Sequence, residues 1–213
     1  MSPTLTRKGA ATRQRIVEGA AAEIRERGVA VTTLDDIRAR TATSKSQLFH
    51  YFPEGKEELL LAVARFEATQ VMAAQQPQLG ELDSWAAWRR WRDTVVSHYR
   101  ERGQYCPLNV LISQLGRATP GAQAVVTELL RSWQNELEAG IRRLRDAGEV
   151  SPDLDAERTA AALLAGLQGG VVVMLSTGRI DHLEAALDVG IENLRASGNR
   201  PPTPVPAPEV RRS

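Results

Sequence analysis

Lys45, Ser46 and Gln47 stand in the first turn of a short segment, Lys45–Tyr51, that opens after Ser44 and is closed by Pro53 and Gly55. All three carry hydrogen-bonding side chains of the kind that read base edges in a major groove. Ser44 is a preferred helix cap, and a capped helix start aims backbone N–H groups at a phosphate. His50, Tyr51 and Lys56 follow closely, placed to hold a nucleic-acid backbone. Upstream, Thr33 and Asp36 have the spacing of a capping box, with Asp in the usual Glu place, ahead of a short helix over Leu34–Arg40. Two short helices on either side of Thr41-Ala42-Thr43 make a helix-turn-helix pattern, whose second helix can enter a DNA groove. Leu48, Phe49 and Phe52 read as core. Arg7, Lys8 and Arg13 read equally well as a DNA-facing arm or as a loose basic tail.

Other chemistries lack their residues. There is no His-Glu-x-x-His, no Gly-x-Ser-x-Gly and no phosphate loop, so no enzyme is expected. A single cysteine, Cys106, excludes an internal disulfide and a thiolate zinc site. Beside Pro107 it reads as a small packed residue, with redox sensing the lesser reading. The three histidines (His50, His98, His182) are far apart in sequence, and neither metal nor cofactor is expected. Net charge is +1, but residues 1–56 carry ten Lys/Arg against six Asp/Glu, leaving the remainder slightly acidic. A basic head on an acidic body suits a polyanionic partner. The polar, basic start has no apolar core of a signal peptide. Ala160–Leu175, interrupted by Gln168 and rich in Ala and Gly, falls short of the roughly 18–20 strongly apolar residues of a membrane span. A cytoplasmic protein without a membrane partner is expected.

These residues must be positioned by helices, because period-3.6 patterns dominate and strand signals are nearly absent. Helices are expected over Ala10–Arg27, Leu34–Arg40, Lys45–Tyr51, Lys56–Gln75, 82–102, 107–116, 121–147, 155–177 and 181–197. The fold class is therefore all-α with about nine helices. It divides into a helix-turn-helix head over 1–56, a helical body over 57–198 and a Pro-rich tail over 199–213 that is expected to be disordered.

Two features of the body point to function. Trp85, Trp88, Trp91, Val95, Val96 and Tyr99 fall in an arc of about 140° on one helix. Each ring alone reads as core, but as a set the aromatics suit a pocket for a flat or greasy molecule. Trp88, Trp91, Tyr99 and Trp133, with Asn109, Gln114, Gln168 and Met174, are the candidate lining residues. On the penultimate helix Ala162, Gly166 and Gly170 recur every four residues, and three glycines (Gly166, Gly169, Gly170) call for close helix packing. With Leu183, Leu187, Ile191 and Leu194 on the last helix they suit a four-helix dimer interface, or packing inside one subunit.

The stretch from Ala11 to Ala64, about a quarter of the chain, resembles the N-terminal pattern of TetR-type transcriptional repressors. Thr12, Ile16, Ala20, Gly28, Thr33, Ile37, Ser44, Leu48, His50, Tyr51, Phe52, Lys56 and Leu59 carry the likeness. The sequence departs from it at the Thr41-Ala42-Thr43 turn, which lacks the usual glycine. It departs again at Phe49, which has no hydroxyl for a phosphate, and at Glu54-Gly55, one residue longer than usual. The resemblance implies that Lys45, Ser46 and Gln47 face bases, and that Thr33, Ser44, His50, Tyr51 and Lys56 face phosphates. It also implies an effector pocket among the middle helices and a two-fold dimer. The run Tyr105–Gly116 resembles the subgroup of the LmrA and YxaF repressors.

The expected function is a ligand-responsive DNA-binding regulator. It would be a repressor that binds a pseudo-palindromic operator as a homodimer and is released by a small apolar or aromatic effector. The alternatives are a helical protein-interaction scaffold or a small helical enzyme without DNA function.

Overall fold

The computed structural model describes residues 6–103 and 107–198, the side chains of Pro107 and Leu108 excepted. Cys106 and the Pro-rich segment lie outside the described residues. Among the described residues the chain forms nine α-helices and no strand.

The head comprises α1 (Arg7–Arg27), α2 (Leu34–Thr41) and α3 (Lys45–Tyr51). Thr6 caps α1 through the Gly9 N–H at 3.2 Å, so this helix starts before the expected Ala10 and takes Arg7 and Lys8 into its first turn. Both later caps are reciprocal. The Thr33 hydroxyl accepts from the Asp36 N–H, and Asp36 accepts from the Thr33 N–H at 2.9 Å. Ser44 and Gln47 repeat the arrangement on α3. Ile16, Ala20 and Ile24 of α1, Ile37 of α2, Leu48 of α3 and Phe52 are fully buried and make the head's core.

Next, α4 (Lys56–Ala73) packs against α1 on one side and against α6 (Pro107–Ser113) and α7 (Pro120–Asp146) on the other. It is the element shared by head and body. The ion pair between Arg25 of α1 and the fully buried Glu67 of α4 crosses this junction. The body is completed by α5 (Trp85–Arg102), α8 (Ala156–Thr177) and α9 (Asp181–Ser197), with short 3₁₀ turns at Gln78–Glu81 and Leu115–Arg117. A bidentate fork from Arg92 to Asp188, 2.7 Å in each arm, ties α5 to α9.

Two expectations need correction here. Helix α8 is, by length and a mean hydropathy of 1.7, apolar enough to cross a membrane. Its run of Val171, Val172 and Val173 outweighs Gln168. It packs against α7 and α9, with Leu163, Leu164, Leu167, Val171 and Met174 buried there and 39% of its apolar window buried in all. The second correction concerns its small-residue face, which is used inside the subunit at Gly170 and in part at Gly166, while Ala162 and Gly169 stay exposed. A Cβ on Gly170 would stand 2.6 Å from the Cα of Leu183, and one on Gly190 would meet Leu163. Leu183 and Leu187 are fully buried beneath this contact, because α9 is the partner that lies against the glycines.

Candidate functional site

The outer surface of α3 presents Lys45, Ser46 and Gln47 to solvent on consecutive positions of its first turn. Their exposure follows from the cap. Ser44 Oγ accepts from the Gln47 N–H at 3.1 Å, and Gln47 Oε1 accepts from the Ser44 N–H at 3.2 Å. Gln47 therefore has its oxygen engaged at the cap while the residue as a whole stays exposed. Leu48, one position on, is the plug that fixes the helix on the core. His50 is exposed and packs edge-on against Tyr51 at 4.9 Å, and Tyr51 is half-buried against the core. Phe49 is 40% exposed, which corrects its assignment to the core: Leu48 and Phe52 fill that space, and Phe49 lies over Gly55.

The turn between α2 and α3 needs a left-handed residue, and Ala42 takes it at φ 47°, ψ 47°. Thr41 and Thr43 are buried and hydrogen-bonded hydroxyl to hydroxyl at 2.8 Å, and Arg15 of α1 donates to the Thr41 carbonyl. These bonds hold the turn in place. Behind it, Arg40 bridges Glu23 at 2.9 Å and Glu26 at 2.6 Å, and Arg27 bridges Glu23 and Asp36, each at 2.9 Å. Hydrogen bonds from Arg40 and then Arg27 lower the Glu23 pKa. The Thr33 hydroxyl, the Thr33 N–H and Arg27 bring Asp36 down to about 2. Glu23, Glu26 and Asp36 are thereby paired with arginines of the head. Arg13 stacks over the Phe52 ring at 4.9 Å, which ties it to the core and removes it from a loose tail.

Lys56 needs correction. Its ammonium turns inward, donating to the Thr32 carbonyl at 2.6 Å and the Val29 carbonyl at 3.3 Å. The loop after α1 leaves these carbonyls without helical partners, and the lysine at the start of α4 answers them. Thr33 and Ser44 remain exposed as caps beside the α3 surface.

The residues expected to line one pocket are scattered. Trp88 and Trp91 are fully buried, stacked edge to face at 5.8 Å, and Trp91 donates to Gln75 at 3.0 Å. They are core because α5 sinks its aromatic face into the body. Tyr99 and Trp133 do meet, with Gln75, Val95 and His98, around a cavity of about 10 Å³, room for a single water at most. Burial, then Arg102, lowers the His98 pKa. Gln114 lies elsewhere, accepting from the Val29 N–H of the head at 2.8 Å. Asn109 sits half-buried on α6, and Met174 and Gln168 belong to the interior of α8. The indole N–H of Trp133 and the Gln168 amide are buried without a partner among the described residues.

A wider space, about 860 Å³, opens between α4 and α7. Leu61, Ala68 and Met72 of α4 and Val125 and Leu129 of α7 line it, together with the charged Arg65 and Glu128. Sequence periodicity could not find it, because its two walls are the flanks of helices whose stripes serve the core.

Of the residues expected at a dimer interface, Ala162 is exposed, Gly166 faces Ala186 and Ile191 lines a crevice with Trp85 and Arg92 on the α5 side. A different stripe is open. Ala162, Ala165, Gly169, Val172 and Ser176 on α8 are exposed at alternating spacings of three and four, as are His182, Ala185, Val189 and Glu192 on α9. Val172 and Val189 are 62% and 52% exposed.

Comparison with known proteins agrees with this architecture. The family described as "Bacterial regulatory proteins, tetR family" matches residues 16–63, and "Tetracyclin repressor-like, C-terminal domain" matches residues 85–189. The HTH-type transcriptional repressor AcnR of Corynebacterium diphtheriae is 26% identical over 87% of this chain and 92% of its own. Among solved structures, a TetR-family regulator from Cytophaga hutchinsonii superposes with a TM-score of 0.77, at 21% identity over 90% of this chain and 98% of that one. SmeT, the repressor of a Stenotrophomonas maltophilia efflux pump, solved with triclosan, superposes with a TM-score of 0.70 at 23% identity, over 93% of this chain and all of its own. TetR-family regulators are DNA-binding transcription factors rather than enzymes. With the two family matches spanning more than two thirds of its length and the capped helix α3 in place, this chain belongs to the TetR family of bacterial regulatory proteins.

Proposed function

We propose that this DNA-binding regulator is a cytoplasmic repressor that acts as a homodimer and is released by a small apolar effector. The observation that carries the DNA reading is the first turn of α3, where Lys45, Ser46 and Gln47 stand exposed on a helix fixed by a reciprocal cap. Those three side chains read base edges. Thr33, Ser44, His50 and Tyr51 hold phosphates. Residues 1–56 act as the DNA-binding unit, and 57–198 as the effector and dimer unit. A two-fold axis beside α8 and α9 sets two α3 helices about 34–36 Å apart, one turn of duplex, on a pseudo-palindrome. Repression accords with the names of AcnR and SmeT.

The groove between α4 and α7 takes the effector. Its size lies within the usual range for small-molecule sites, and its lining is mainly apolar. The neighbour solved with triclosan supports an apolar, aromatic ligand. Such a ligand releases DNA only insofar as it binds the released form more tightly.

Gel shifts on the DNA upstream of the chain's own gene test the reading. Gln47→Ala should weaken binding and relax preference at one base pair by about 1–3 kcal/mol. A scaffold without DNA function predicts no binding to that fragment, and an unaltered preference across single-base variants removes Gln47 from base reading.

A further inference from the structure

Val29, in the loop between α1 and α2, has both of its backbone polar groups held by side chains from beyond the three helices α1–α3. Its N–H donates to Gln114 Oε1 at 2.8 Å, a contact across 85 residues of sequence. Its carbonyl accepts from Lys56 at the start of α4, whose ammonium also holds the Thr32 carbonyl. The loop itself is closed: the Thr32 hydroxyl and N–H both bond to the Gly28 carbonyl, at 2.7 and 3.3 Å. Thr33 follows directly as the cap of α2. A displacement of Val29 is therefore handed on to the cap and to the helix pair behind it.

Both holders lead back to the same groove. Lys56 begins α4, which carries Leu61, Ala68 and Met72 along one wall. Gln114 ends the segment whose next turn, at Gly116, is pressed against α7. A Cβ on Gly116 would come within 2.8 Å of Val126 and 3.1 Å of the Leu111 carbonyl, so that corner has no slack. Val126 neighbours Val125, which lines the opposite wall. Widening the groove must pull on one holder, the other or both. Packed contacts of this kind pass displacement on, because protein interiors have few voids.

We propose that Gln114 is a positioning residue that couples the body to the reading head, with Lys56 as the second jaw of the same clamp on Val29. This rests on the reading of α2 and α3 as the DNA-contacting pair. Coupling of this kind is reciprocal, so DNA bound at the head must also quiet the body.

The test uses the full chain, a duplex from upstream of its own gene, and amide hydrogen exchange. In the wild type, DNA should slow exchange over 109–117 as well as in α3. In Gln114→Leu, the Val29 amide without DNA should exchange about tenfold faster, the worth of roughly one hydrogen bond. DNA should still slow exchange in α3 while its effect over 109–117 disappears. Gln114→Glu, which keeps the acceptor oxygen, should restore both. Unchanged Val29 exchange in Gln114→Leu, or DNA protection of 109–117 that survives it, overturns the clamp. If Gln114→Leu does not fold, Gln114→Asn, which draws the acceptor oxygen back from the Val29 N–H by one methylene, gives the same two readouts. A wild type that fails to bind the duplex sinks the DNA reading instead, while Val29 exchange still judges the contact.

Discussion

At the scale of the residue, the inward turn of Lys56 changes what its loss should do. An ammonium that bonds two loop carbonyls contributes about 1.5–3 kcal/mol to stability through charged hydrogen bonds. Lys56→Met should lower the urea midpoint accordingly. The salt dependence of DNA binding should keep its slope, whereas a lost phosphate contact would flatten it by nearly one unit. A salt series on the variant separates the two roles. Asp36 offers a second reading. Its pKa falls from 3.8 to about 2 through the Thr33 hydroxyl, the Thr33 N–H and Arg27. A lowered carboxylate stabilises the fold fully above its ordinary pKa, and that stability is lost as pH falls through about 2. The melting temperatures of wild type and Asp36→Asn should differ near pH 6 and converge as pH falls toward 2. A gap that stays constant with pH would remove Asp36's charge from the account. Lys45, Ser46 and Gln47 are legible in sequence because cap spacing alone puts them on an exposed first turn. The Lys56 contact is not, since its partner lies 27 residues back along the chain.

At the scale of the element, the helix starts are written locally and the helix partners are not. Thr33, Ser44 and Ser84 each cap a helix, as their residue types imply. The stripe of Trp88 and Trp91 on α5 declares a buried face without saying whether a cavity or a neighbour covers it, and here neighbours do. The glycines of α8 show the same limit. Gly170 is pressed on Leu183, while Gly169 has nothing within 4 Å of its missing Cβ, and sequence gives them equal weight. The turn of the helix-turn-helix is different, because a backbone rule applies. Ala42 sits at φ 47°, a conformation that penalises a Cβ. Ala42→Gly should stabilise the chain by about 0.5–1 kcal/mol, net of glycine's larger entropy when unfolded. Thermal melts check it, and a lower midpoint would mean that the methyl makes a contact worth more than the relief of strain.

At the scale of the whole molecule, the proposed action on a two-fold site requires two copies, and the open face of α8 and α9 is the part of the body suited to a second one. On α8 its small and apolar residues recur at alternating spacings of three and four, the pattern by which helix pairs interlock, and Ala185 and Val189 face the same way on α9. Leu183 and Leu187 lie beneath it and cannot take part. Charges placed on the exposed stripe should therefore spare the fold and break the pair. Val172→Glu combined with Val189→Glu should keep the monomer's helix content, since both valines are more than half exposed. Sedimentation should show single subunits at concentrations where the wild type pairs. Each subunit then meets only one half-site, so the number of phosphates neutralised per binding event falls by half, and the salt slope of DNA binding should fall by about half with it. A double variant that still sediments as a pair, with its slope intact, would move the dimer interface to another face of the body.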